Sequence, residues 1–365
     1  MSKVKVLEIT ARDSGDSNIK LSSDGSTSVL SLNQGQLAGF RSVAINGNMA
    51  VNQRGVQTPP SSGYQYPVDR FRSYTSSGLS VNGLFLVSQQ TTNAESGFVN
   101  TAKIQTTTPD PNLSDAEALY VPLETAIEGF DARRFCFGTS YAKPLTVSFM
   151  IRGSISGTYS LACFSTLSGI SEPDRRSYVT SFDLESTDTW EYKTITIPGC
   201  PDGIWNKSDG CGLYISVGAS GGSNLVTSVP DTWQPGLKES LNTGVVSLIG
   251  TENAYLEFTG FQIELGTQAT PYENILVQTQ LANCQRYYES GSSKLFVGVP
   301  GGSSCALATN FKVTKRVAPA EINYSTAGAR QYLPDVTEWI DNEGFSSLNQ
   351  SGTECAFVWS ADAEL

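Results

Sequence analysis

Two short stretches hold the side chains whose types and spacing best suit a defined chemistry. Trp205 stands beside Asp202, Asn206 and Asp209, and Trp233 beside Asp231 and Gln234. An indole flanked by carboxylates and amides can lie against the C–H face of a sugar while its neighbours hydrogen-bond the hydroxyls. Asp202, Trp205, Asp209, Trp233 and Gln234 are therefore the candidate ligand-binding residues. The competing expectation is that both indoles cap an apolar core, and it is the preferred one, because large aromatics so often serve packing.

Catalysis has fewer routes. The chain holds no histidine, which excludes Ser-His-Asp triads, Cys-His dyads, HExxH metal sites and histidine general bases. Two carboxylates about 5 to 9.5 Å apart would be enough to cleave a glycosidic bond, but nothing singles out a pair among the 35 acidic residues. The expectation is a chain without catalytic residues or cofactor. Calcium takes about 6 to 8 oxygen ligands, and no D-x-[DN]-x-[DN]-G loop supplies them, so no metal site is expected. The mixed clusters Asp131, Arg133, Arg134 and Glu172, Asp174, Arg175, Arg176 read as solvated loops, where exposed pairs contribute about 0 to 1 kcal/mol.

The formal net charge of −11 and the sequence pI near 4.6 oppose phosphate backbones, which are bound by clustered Lys and Arg. Nucleic acid and anionic membrane are thus unexpected partners. No run approaches the roughly 18 apolar residues of a membrane span, and MSKVKVLEITARDSG lacks the apolar segment of a secretory signal. The chain is expected to be made in the cytoplasm of its producing cell, with no membrane insertion. Seven cysteines (Cys136, Cys163, Cys200, Cys211, Cys284, Cys305, Cys355) are scattered without a CxxC. Reduced, partly buried thiols are expected; only Cys200 and Cys211 bracket a loop small enough for a bridge, a minority reading.

The elements that must position these residues are mostly strands. At 365 residues the chain suits two or three units. Residues 1–40 are short apolar beats between Ser, Asp and Gly turns, too polar to bury a core alone. From 41 to 274 come strand candidates at intervals of about 8 to 12 residues. They are LSVNGLFLVSQQ, GFVNTAKIQTT, PLTVSFMIRGS, TYSLACFST, RSYVTSFDL, WEYKTITIP, CGLYISVGAS and AYLEFTGFQIEL. Leu145, Val147, Phe149 and Ile151 share one face, and Thr146, Ser148 and Arg152 the other. The stretch VQTPPSSGYQYPVDRFRSY reads as a loop. The pattern predicts a mainly β fold, an antiparallel jelly-roll β-sandwich with a short N-terminal segment and a small α+β unit at 275–365. That last unit should hold one helix, with Leu281, Cys284 and Tyr288 on its face after a Thr279 cap, and four strands interrupted by LPDVTEWIDNEGFSSL. In AYLEFTGFQIELGTQATPYE the apolar register slips from Ala254, Leu256 and Phe258 to Phe261, Ile263 and Leu265. A β-bulge at Thr259-Gly260 would return the second set to the core.

Several phrases follow one another in the order of a single family's pattern. INGNMAVNQRG with PVDRFRSY (Val68, Asp69, Arg70, Phe71) is similar to that family's opening. IEGFDARRFCFGTSYAKPLTVSFMIRG is similar to its central signature, from Ile127-Glu128-Gly129 through Phe137-Gly138-Thr139 to Ala142-Lys143-Pro144. TWEYKTITIPG, GIWNKSDGCGLYISV, FTGFQIELGTQATPYE, LANCQRYYE, FKVTKRVAPAEINYSTAG and the final WSADAEL follow in sequence. Taken together in this order, these phrases resemble virion proteins of tailed bacteriophages of the tail-fibre-like, carbohydrate-binding-module-like kind; the resemblance covers roughly residues 39–365, and Met150 departs from it where an aromatic is usual. It implies a jelly roll in a structural virion protein, a fibre or fibre-like appendage that binds host-surface glycan, attached to other virion proteins through residues 1–40. By analogy with fibres it also implies a homotrimer. Alternatives are a capsid or tail decoration protein without receptor binding, a polysaccharide-degrading appendage, and a free carbohydrate-binding module, which the lack of a signal sequence disfavours.

Overall fold

Alternation in the strand from Leu145 puts Leu145, Val147, Phe149 and Ile151 on one side, and all four are wholly buried. This period of two recurs through a computed structural model that describes residues 8–10, 17–21, 27–29, 40–56, 62–76, 82–91, 97–113, 115–165, 172–296, 305–325, 336–349 and 354–365. In chain order the strands begin with β1 (Glu8–Thr10), β2 (Ser17–Leu21) and β3 (Thr27–Val29), a small antiparallel sheet. The sandwich strands follow: β4 (Gly63–Val68), β5 (Phe71–Thr75), β6 (Leu84–Thr91), β7 (Asn100–Thr108), β8 (Leu119–Glu128), β9 (Leu145–Gly153), β10 (Gly157–Phe164), β11 (Arg176–Leu184), β12 (Glu191–Ile197) and β13 (Cys211–Val217). Then come β14 (Ser220–Gly221), β15 (Val226–Thr227), β16 (Trp233–Pro235), β17 (Ser240–Leu241) and β18 (Tyr255–Leu265). The single-turn helix α1 (Gly129–Ala132) separates β8 from β9.

Two sheets make the sandwich. One runs β16-β11-β10-β13-β8-β5-β4 with β14 beside β8, and the other runs β12-β9-β18-β7-β6. The chain crosses between them repeatedly, as a jelly roll does, and every pairing in these two sheets is antiparallel. The expected mainly β, antiparallel sandwich is therefore what forms. Phe149 lies at its centre, stacked on Phe261 at 5.3 Å and edge-on to Phe182 at 5.4 Å. Full burial of such a side chain stabilises by about 1.5 to 3 kcal/mol.

The register slip in β18 is a bulge. Thr259 pairs with Met150 and Gln262 with Ser148, so the chain spends an extra residue between them. Gly260 takes φ +62° there, and Phe258, Phe261 and Ile263 reach the core, whereas Leu265, at the end of the strand, is 43% exposed and does not return to it.

Other segments depart from the sequence expectation. GYQYPVDRFRSY is no loop; it forms the β4–β5 hairpin, and its Tyr, Val and Phe are strand formers. β8 is buried along its whole length and sits inside its sheet despite Pro122. The proline is tolerated because the β5–β8 ladder is irregular between the Arg72–Glu124 and Tyr74–Val121 pairs, where its missing N–H is not needed.

Beyond the sandwich lie helix α2 (Val277–Gln285) and the strands β19 (Tyr288–Phe296), β20 (Cys305–Asn310), β21 (Ile322–Ser325), β22 (Val336–Ile340), β23 (Gly344–Asn349) and β24 (Glu354–Asp362). They form two three-stranded sheets, β19-β24-β21 and β20-β23-β22, around Phe311, Phe345, Phe357 and Trp359. The stretch expected to interrupt four strands instead supplies the β22–β23 hairpin. The helix starts after Leu276 without a side-chain cap, so Thr279 is not its cap, and it buries Gln280, Cys284 and Gln285. Tyr288 belongs to β19. The helix rests on a polar surface, which explains the polar stripe: Gln280 Nε2 donates to Asn46 Oδ1 at 2.9 Å, and Arg286 forks onto Glu128 at 2.6 and 2.9 Å. Further ties to the sandwich run from Arg70 to Glu364 and from Arg72 Nη1 to the Leu365 carbonyl at 2.6 Å.

Candidate functional site

The second phase of the β9 alternation builds a surface. On the side of the five-stranded sheet away from the core, β9 presents Ser148, Met150 and Arg152. The β12 register places Tyr192 opposite Met150, and the β18 register places Glu257 opposite Arg152 and Gln262 opposite Ser148. β7 adds Lys103 opposite Glu257.

At one end of this face is a cleft of about 390 Å³, walled by Phe98, Tyr192 and Tyr272 and floored by Ser148, Met150 and Gln262. Phe98 and Tyr272 meet edge to face at 4.9 Å. Gly260 makes this wall possible, because a Cβ there would stand 2.7 Å from the Phe98 ring. The roof at residues 269–272 is pinned from below. Gln262 Nε2 donates to Glu264 Oε2 at 2.7 Å and to the Thr270 carbonyl at 3.1 Å, and its Oε1 accepts from the Glu273 amide at 2.8 Å. Tyr192 is 54% exposed, and the Ser148 hydroxyl makes no hydrogen bond within the described protein.

Toward the other end, Arg152 Nη2 lies 3.1 and 3.0 Å from the two oxygens of Glu257, and its Nε donates at 3.2 Å. The carboxylate is sunk, with a side chain 4% exposed, whereas Arg152 is 31% exposed and also faces the Trp190 ring at 5.1 Å. Lys103 Nζ sits 4.0 Å from Glu257 Oε1 and 4.4 Å over the Tyr255 ring. Burial, followed by a hydrogen bond to Asp188, pushes the Tyr255 phenol up to about 12. The face thus pairs exposed aromatic edges with fixed hydrogen-bonding groups, the arrangement that suits the C–H faces and hydroxyls of a saccharide. Among the described residues no three His, Cys, Asp or Glu side chains gather for a metal ion.

The five residues marked by the sequence lie elsewhere. Trp205 and Trp233 meet at 5.6 Å and both contact Phe137, at 4.9 and 5.5 Å. Trp205 is 8% exposed and belongs to the sandwich core. Its Nε1 donates to the Asp202 carbonyl at 3.0 Å, and that of Trp233 to the Pro198 carbonyl at 2.8 Å. Asp202 is engaged by Arg176 at 2.9 and 3.0 Å, which holds its carboxyl below the usual range. Gln234 bonds Thr227, and the Asp209 carbonyl accepts from Arg316. Asp202 and the two indoles come together; Asp209 and Gln234 are tied to other partners. Cys200 and Cys211 are separate thiols, with Sγ of each facing a backbone carbonyl. Sequence reasoning passed over Phe98, Trp190, Tyr192, Tyr255 and Tyr272. The available signal was the outward phase of strands already recognised, opposite each core residue.

Fold and face define a two-sheet β-sandwich with an aromatic-walled cleft on the outer side of one sheet. No family model matches the chain, and no curated protein does. Among solved structures it is similar to a CBM4 structure, at 11% identity and TM-score 0.29, covering 61% of this chain and 99% of that one. It is also similar to a family 11 carbohydrate-binding module from Clostridium thermocellum in complex with a β-1,3-1,4-mixed-linked tetrasaccharide, at 12% identity and TM-score 0.28, covering 58% and 99%. A third is the enzymatically active domain of bacteriophage CBA120 tailspike protein 4, at 8% identity and TM-score 0.29, covering 62% of this chain but 22% of that one.

Proposed function

We propose that this chain is a non-enzymatic glycan-binding protein that works as a fibre or fibre-like appendage of a tailed-phage virion, attaching to host-surface polysaccharide through the outer face of its five-stranded sheet. The observation that carries glycan binding is the cleft walled by Phe98, Tyr192 and Tyr272 beside the Arg152–Glu257 pair. The ordered series of phrases supports the virion role, with residues 1–40 as the attachment segment and a homotrimer as the assembly.

The reading is tested by titrating the full chain with purified envelope polysaccharides of candidate hosts, alongside Tyr192→Ala and Trp233→Ala. Aromatic contacts of this kind are worth about 0.5 to 1.5 kcal/mol each, so Tyr192→Ala should weaken binding by roughly twofold to thirteenfold. Binding that Tyr192→Ala leaves intact would exclude this face, and the absence of any polysaccharide binding would exclude the function. Release of reducing sugar would overturn the non-enzymatic assignment. A monomer in analytical ultracentrifugation and on the particle would overturn the trimer.

A further inference from the structure

A second cleft, of about 560 Å³, opens beside the eight-stranded sheet and shares no residue with the first. Its walls come from the turn after β14, from the short parallel ladder of β15 with β17, and from the segment before the single-turn 3-10 helix Leu248–Gly250. Backbone bonds hold these pieces in place: Gly222 N donates to the Ala118 carbonyl at 2.8 Å, Leu225 N to Gly222 at 2.9 Å, and Asn242 N to Thr227 at 2.9 Å. The space is therefore preformed.

Its chemistry differs from the rest of this acidic molecule. None of the described residues that line it carries a charge. Ser220, Ser223, Ser228 and Ser247 line it, and none of their hydroxyls is hydrogen-bonded within the described protein. Leu113, Val226 and Val245 supply apolar patches between them. Four free hydroxyls that both donate and accept, alternating with small apolar surfaces, match a ligand that is itself a neutral polyol. A charged ligand would find no counter-charge here, and a purely apolar one would strip water from the hydroxyls without replacing its bonds. The volume falls within the roughly 300 to 1,000 Å³ of small-molecule sites.

We infer that this cleft is a second, independent saccharide site that takes a neutral sugar unit. The test uses the full chain already bearing Met150→Trp, which fills the cleft on the five-stranded sheet, so that the remaining signal reports on the second cleft. Ligand-observed NMR would be run with methyl α-D-glucopyranoside, methyl α-D-galactopyranoside, methyl α-L-rhamnopyranoside and sodium D-glucuronate, each at about 20 mM, a concentration that reveals millimolar dissociation constants. At least one neutral glycoside should give saturation transfer, and adding Val226→Trp, which fills the cleft, should weaken it about tenfold or more. Ser228→Leu, at an exposed rim position, should do the same and decides the matter should Val226→Trp fail to fold. No signal from any neutral glycoside, a signal that survives the cleft variants, or a preference for glucuronate would each overturn the inference.

Discussion

Glu239 offers the sharpest quantitative test of the packing. Its residue is 2% exposed, and it lies by Glu124 of β8, Ser216 of β13 and Arg72 of β5. Arg72 is already committed to Glu124, with Nε at 2.7 Å and Nη2 at 2.5 Å. Oε2 of Glu239 has no hydrogen-bond partner among the described residues. Burial first, and the Glu124 carboxylate second, push the Glu239 carboxyl up from 4.5 to about 8. The folded chain thus holds a proton that the unfolded chain releases near pH 4.5. The stability linked to this group is fully present below pH 4.5 and is lost as pH rises toward 8. At about 1.36 kcal/mol for each pH unit over which only the folded chain holds the proton, the loss amounts to a few kcal/mol across that window. Glu239→Gln keeps the shape and removes the titration. Urea denaturation followed by tryptophan fluorescence between pH 5 and pH 9 should show the parent losing stability up to pH 8. The variant should lack that part of the slope and be the more stable of the two at pH 8. Parallel profiles for both chains would refute the assignment of a buried, protonated carboxyl.

Gly260→Ala should destabilise by more than about 1 kcal/mol in thermal or urea melts, since it places a Cβ at φ +62° and drives it against Phe98, and it should weaken polysaccharide binding as the wall shifts. Trp233→Ala should lower the melting temperature and leave polysaccharide binding unchanged, because its indole is spent on Phe137, Tyr178 and Trp205; lost binding at an unchanged melting temperature would restore it as a ligand residue. Lys315→Met should cost about 3 to 5 kcal/mol by leaving Glu289 buried and uncompensated, because the pair lies at 2.6 Å with both side chains wholly buried. The double variant Lys315→Met, Glu289→Leu should recover much of that loss in the same denaturation assay, and equal losses would refute the pairing.

The strands of the sandwich were legible where a strand has one face in the core and one partly outside, as in β9, β11 and β12, and β13, though covered on both faces, was legible because Leu213, Ile215 and Val217 still alternate with smaller or polar residues. β8 was not, because both of its faces are covered and its sequence carries neither alternation nor freedom from proline. The helix was legible as an element, yet its buried side was not, because Gln280 and Gln285 are buried against polar partners. The tryptophans were conspicuous in the sequence, and Trp205 is spent on the core, whereas Tyr192 was inconspicuous and stands exposed.

Local chemistry, read along the chain, determined the mainly β architecture, the exclusion of histidine catalysis and the bulge at Thr259-Gly260. Period-two alternation and glycine placement act between neighbouring residues, so the sequence alone carries them. Only the tertiary structure decided which strands are neighbours, and so which aromatic rings share a wall. Phe98, Tyr192 and Tyr272 are separated by many tens of residues, and a strand's register with its partner, rather than any spacing in the chain, brings them around one cleft.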